Sequence, residues 1–285
     1  LRGTKMINEA GNHVAAAAAF RAVWVTRYGN NIDPKRIEEM RDVLPEDLVE
    51  DLMKAATEGA DAQYDGPRDR VECKAHRSFM QHLNEGLSKL WKDAKHGRSL
   101  FMTEKANLKG VISSPLGRVP KLLPNREVSS EGRVVRDLRQ VNEFSPKERH
   151  PAVKTPTHQD IARKIVAEKL KWPGVPVLIS KRDIDGAFKR VWWKLDEIGL
   201  FATDIEAQQL LKVAYQEAQA DPELWSDVVK ELGENATKEA FMGLFTKLVN
   251  TLLVLEFGYS GSPGRFGQFG DAAEKATEKH APADA

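Results

Sequence analysis

Through the first hundred residues the apolar positions fall at helical spacing. A stripe that begins at Ala15 to Phe20 continues through Trp24 and Tyr28 and stops at Gly29, predicting one Ala-rich helix. Asp33-Pro34 and Leu44-Pro45 each set a proline where a first-turn amide needs no partner, so two short helices are expected to start there. From Asp69 onward Val71, Ala75, Phe79, Leu83, Leu87, Leu90 and Trp91 trace one face, predicting a packing helix of about five turns. After residue 110 the spacing changes to short extended pieces divided by Pro and Gly. Ser114-Pro115, Pro120, Pro124 and a turn at 129–132 bound a hairpin whose second strand is 133–139. Thr157 caps a further helix carrying Ile161, Ile165 and Leu170. The β-branched run 177–179, entered past Pro173 and Pro176, predicts a buried strand. Helices are expected at 205–218, 222–232 and 237–249, and a Gly-Ser-Pro loop at 258–263 feeds a last helix running into 271–279.

This order of elements is α+β. With 285 residues, 41% hydrophobic and 30% charged, the chain can bury one large core or two ordinary ones. No apolar run approaches the roughly 18 residues of a membrane span, so no membrane partner is expected. The single cysteine, Cys73, excludes an internal disulfide framework and a multi-cysteine zinc site, and points to an intracellular, reducing compartment. His76, His82 and His96 are not at ligand spacing. The expected divisions are a helical region at 1–104, a hairpin at 105–156, a mixed region at 157–275 with a helical insertion near 204–249, and a disordered tail at 276–285. Starting at Leu1 and ending in HAPADA, the chain looks cut from something longer. A net charge of +1 conceals a basic block at 105–154, with 11 Lys or Arg against 5 Asp or Glu, whose functional reading is phosphate contact.

The candidate chemistry lies at 177–193, VLISKRDIDGAFKRVWW. A strand there would carry Asp183 and Asp185 out of a core, and Gly186 would let Ala187, Phe188, Val191, Trp192 and Trp193 pack back on the sheet. Bare carboxylates at a strand end suit Mg²⁺, which takes one or two protein oxygens and completes its shell with water and substrate phosphate.

The pattern Asp183, Ile184, Ala187, Phe188 resembles the first palm motif of retrotransposon reverse transcriptases, with Arg190, Val191 and Trp192 continuing it. Ser114 to Lys121, followed by Arg133, Val135, Asp137, Arg139 and Asn142, resembles the fingers of the same family. Phe257, Gly258, Ser262, Pro263 and Phe266 resemble its second palm motif. The resemblance covers about 110–200 and 250–275 and implies a fragment of a right-hand polymerase, fingers and palm, with a helical N-terminal region. It implies nucleotidyl transfer from a dNTP on an RNA or DNA template-primer, with two Mg²⁺ ions. Asp183 would bind both ions and Ile184 would offer one a carbonyl. Arg133, with Arg126 across the turn, would hold the triphosphate. Phe188 would be the gate against a 2′-hydroxyl, and Phe257 and Gly258 would cradle template and nucleotide. Asp137 and Arg139 read as a structural pair.

The family's third palm motif, an aromatic followed closely by two aspartates, does not follow Phe269. The expectation is therefore an inactive fragment whose partners include the downstream palm and thumb of the same polyprotein. The alternative is a non-catalytic nucleic-acid-binding or interaction remnant of a retroelement. A third possibility, a helical scaffold with chance motif matches, predicts that Arg133, Asp183 and Gly258 do not converge.

Overall fold

A computed structural model describes residues 2–280, apart from 30, 154, 180–183, 185 and all of 207–246 except 215, 222, 226, 229, 230 and 233. Its described part mixes helix and strand. The N-terminal helices are α1 (Arg2–Ala10), α2 (His13–Tyr28), α3 (Pro34–Glu38) and α4 (Glu46–Thr57). The caps explain the boundaries. The Asn12 side chain accepts the Ala15 amide at the start of α2, Gly29 ends it at a φ of +77°, and the Asp33 carboxylate accepts the Lys35 amide ahead of Pro34.

Two short helices, α5 (Arg77–Met80) and α6 (Leu83–Lys95), precede strand β1 (Ser99–Thr103). The expected long helix from residue 69 is thus confined to its second half. Its first half is extended, because Val71 pairs in parallel with Ile112 and the His76 amide donates to the Leu116 carbonyl. Pairing with a neighbouring strand outweighs helical spacing here, helped by the β-branched Val71.

β1 joins β4 (Ala202–Glu206) and β5 (Lys247–Leu252) in an antiparallel sheet of order β1-β5-β4, with Phe101 opposite Asn250 and Thr203 opposite Asn250. The helices expected at 205–218 and 237–249 therefore give way to strand at 205–206 and 247–249; most of what lies between falls outside the described residues. Beyond the sheet the core is aromatic. Trp193 stacks on Phe201 at 4.1 Å, and Tyr259 meets both edge-on at 5.1 Å.

β2 (Leu116–Leu122) and β3 (Val128–Arg136) form the hairpin, with Val119 opposite Arg133. The turn sits at 123–127, not at 129–132. Pro124 cannot donate to a ladder, and the Asn125 side chain accepts the Glu127 amide, closing the reversal; residues 129–132 run within β3. The second strand likewise ends at Arg136, and α7 (Arg139–Glu143) follows.

Thr157 and Asp160 make a reciprocal capping box on α8 (His158–Lys171), yet α8 has no buried residue. The strand expected at 177–179 is not formed. Leu178 is 90% exposed, and no described strand lies alongside to give it a ladder. The chain closes with α9 (Ser262–His280), whose Pro263 lies in the first turn, so residues 276–280 are helical where a disordered tail was expected. None of the described helices is long and apolar enough to cross a membrane.

Candidate functional site

The site is built where the end of the hairpin meets the loop before α9. Arg136 lies on the buried face of β3, and one guanidinium nitrogen reaches both Glu256 carboxylate oxygens at 2.9 and 2.8 Å. The other terminal nitrogen donates to the buried Asn250 at 2.6 Å, tying β3 to the centre of the sheet. Burial raises the Glu256 pKa, against the opposing pull of Arg136. Six residues further along, Asn142 makes a second tie. Its amide nitrogen donates to the Gly258 carbonyl at 2.8 Å, and its amide oxygen accepts the Ser260 amide at 3.0 Å. Ser260 in turn donates to the Ser145 carbonyl.

Gly258 has a φ of +93°, and an added Cβ would lie 3.3 Å from the Arg136 carbonyl, so the position needs glycine on two counts. Between these ties opens a cleft of about 420 Å³, lined in part by Val135, Asp137, Arg139, Asn142 and Gly258. Within it Asp137 accepts from Arg139 at 2.6 Å and meets His76 at 3.0 Å, and these partners hold its carboxyl well below the usual range. Asp137 and Arg139 are thus paired as the sequence suggested.

Gly186, at a φ of +60°, starts a 3₁₀ turn over Ala187–Arg190. This turn delivers Phe188 onto Phe257 at 4.6 Å and Phe266 at 5.7 Å between ring centres. The segments 184–190 and 257–266 are therefore in contact, and the second is tied through Asn142 to α7. Asp183, the expected catalytic and metal-binding acid, and Asp185 lie outside the described residues. Ile184 is 58% exposed, and its carbonyl accepts the Ala187 amide at 3.2 Å. Among the described residues no three His, Cys, Asp or Glu gather as a metal site, so these residues do not by themselves fit a pair of Mg²⁺ ions.

The basic block resolves into two kinds of arginine. Arg118 pairs with Glu85, Arg136 with Glu256, Arg139 with Asp137 and Arg149 with Asp65. Arg126 and Arg133 are exposed and have no acidic partner among the described residues. Arg133 lies on the same face of β3 as Val135, which lines the cleft. Arg126 is in the turn itself, at a φ of +66°, and the strand between Val128 and Arg133 spans roughly 17 Å, so the two are not side by side.

The sequence patterns left Arg136 and Glu256 without a role. Glu256 is a lone charge inside an apolar run, LLVLEFG, and so signals a buried partner, whereas Arg136 stands among other charges in RVVRDLR and carries no such signal. Neither a protein-family model nor a curated protein matches this chain.

Proposed function

We propose that the chain is the fingers and upstream palm of a retroelement RNA-directed DNA polymerase, the part that grips a template-primer and the incoming nucleotide. The observation that carries this is the meeting of three separated segments, 133–142, 184–190 and 257–266, through Asn142, Phe188 and Gly258. Chance matches to three unrelated patterns would have no reason to touch one another in the fold, as Asn142 touches Gly258 and Phe188 touches Phe257 and Phe266.

The chemistry of the surface agrees. Within the basic block 105–154 the two arginines with no acidic partner among the described residues are those assigned to phosphate, and a guanidinium fork matches phosphate oxygens. Gly258 is exposed at the edge of the cleft, where a base or sugar can approach. The described residues supply binding groups rather than a metal cluster, so the proposal concerns recognition by these side chains. Nucleotide addition would further require carboxylates, Asp183 among them.

Binding of an RNA–DNA heteroduplex, followed by fluorescence anisotropy over a range of salt, tests this. Arg133→Ala is expected to weaken binding and reduce the slope of log affinity against log salt by about one phosphate contact. An unchanged slope in Arg133→Ala, or no heteroduplex binding at low salt, overturns the proposal.

A further inference from the structure

The N-terminal helices present a surface that the polymerase-like segments leave unused. Phe20, Trp24 and Tyr28 recur every fourth residue on α2 and form a ladder, with ring centres 6.0 Å apart and then 4.4 Å apart. Phe20 is anchored in the core, whereas Tyr28 is 58% exposed, so the ladder climbs from the interior to the surface. The Arg27 guanidinium lies 5.3 Å from the Tyr28 ring centre.

Against this ladder packs the end of α6 and its turn, Lys92 to Arg98. Gly97, at a φ of +68°, sits so close that an added Cβ would fall 2.5 Å from the Trp24 indole. The next residue, Arg98, points the other way. Its guanidinium comes within 3.6 Å of where a Cβ on Gly186 would be. One basic turn therefore touches the aromatic ladder on one side and the start of the 187–190 turn on the other. Lys92 and His96 are exposed on it, and its one acid, Asp93, is shared between Lys189 at 2.6 Å and Arg98 at 3.5 Å. The nearest acid beyond Tyr28 in the chain, Asp33, is engaged in capping α3.

We propose that the Phe20–Trp24–Tyr28 ladder and the 92–98 turn form a single-stranded nucleic-acid site, in which bases stack on Tyr28 and Arg27 and the backbone follows the basic turn. An exposed aromatic ring together with exposed cations such as Arg27 and Lys92 is what a flexible polyanion with flat bases requires; an acidic peptide needs the charge but not the stack. The direction of the path, toward Gly186 and Phe188, rests on the function proposed above, whereas the stacking surface does not.

The test uses the full chain and a labelled oligothymidylate, read by anisotropy beside the RNA–DNA heteroduplex. Tyr28→Ala is expected to weaken oligothymidylate binding about fivefold or more, the effect of losing one stacked base, and Tyr28→Phe to preserve it. Arg27→Ala with Lys92→Ala should lower the salt slope for the single strand by about 1.4. Full affinity in Tyr28→Ala, or polyglutamate competing as well as oligothymidylate, overturns the proposal. If heteroduplex binding ignores Arg133→Ala while the Tyr28 loss persists, the ladder stands as an independent single-strand site and the polymerase reading falls.

Discussion

Replacing Arg136 with methionine removes the cation that compensates Glu256 and breaks the bond to Asn250. The Arg136 side chain is 1% exposed and that of Glu256 14%, so water cannot replace the lost partner. Stranding one member of a buried pair costs about 3–5 kcal/mol, whereas removing both groups together is often nearly neutral. Arg136→Met should therefore unfold at much lower urea, while Arg136→Met with Glu256→Leu recovers most of the loss. The coupling between the two sites should exceed about 1.5 kcal/mol. The pH dependence has a definite sign. Without Arg136, burial holds the folded Glu256 pKa above its unfolded value, so the folded state binds the extra proton. The variant is then least damaged in acid and loses stability as pH rises through the folded pKa. Urea titration at several pH values, followed by fluorescence of the six tryptophans, measures all of this. A loss below about 1 kcal/mol, or strictly additive single and double variants, would refute the argument that this pair clamps the hairpin to the sheet.

Other consequences can be measured in the same way. Asn142→Ala removes two hydrogen bonds between α7 and the 258–260 loop and should cost about 1–3 kcal/mol; no shift in the urea midpoint would contradict the tie. His150, whose Nε2 meets the Ser145 hydroxyl at 2.9 Å, is held below its usual pKa of 6.5 by burial and then by Arg265. Because the unfolded chain takes up that proton more readily, stability should fall as pH drops below 6.5, and His150→Gln should flatten the fall; parallel pH profiles would dismiss His150 as its source. Two glycines of α9 should behave oppositely. A Cβ at Gly264 would fall 2.0 Å from the Pro151 carbonyl oxygen, and one at Gly267 only 3.5 Å from a Val153 methyl. Gly264→Ala is expected to lose about 1–3 kcal/mol, and Gly267→Ala to be neutral or gain up to about 1 kcal/mol; equal melting temperatures for both would contradict the packing described.

The elements that the chain announces by local chemistry are where local chemistry puts them. Asn12, Asp33 and the Thr157–Asp160 box fix helix starts because a side chain within three residues satisfies the free amides, and no distant contact is needed. Elements decided by distant partners were not legible. Val71 follows a helical stripe but is claimed by Ile112, while 177–179 has strand composition but no neighbouring strand to pair with. The hairpin turn was misplaced because Ser-Ser-Glu-Gly and Pro-Asn-Arg-Glu are both competent turns, and pairing of Leu116 with Arg136 selects the second. At the candidate site, the family resemblance named Arg133, Phe188, Phe257 and Gly258, whose surroundings the structure describes, and Asp183, which lies outside the described residues. The two roles of Asn142 and the Arg136–Glu256 clamp depend on contacts across more than a hundred residues, which spacing alone does not reveal.

The proposed function makes β3 with α7, the Phe188 turn and the Gly258 loop one nucleic-acid surface. A heteroduplex whose template strand carries 4-thiouridine at the primer junction, cross-linked to the chain and mapped by mass spectrometry, tests it most directly. Cross-links falling in 133–142 and 257–266 are the predicted result. Cross-links confined to the helices before residue 95, or none at low salt, would contradict it.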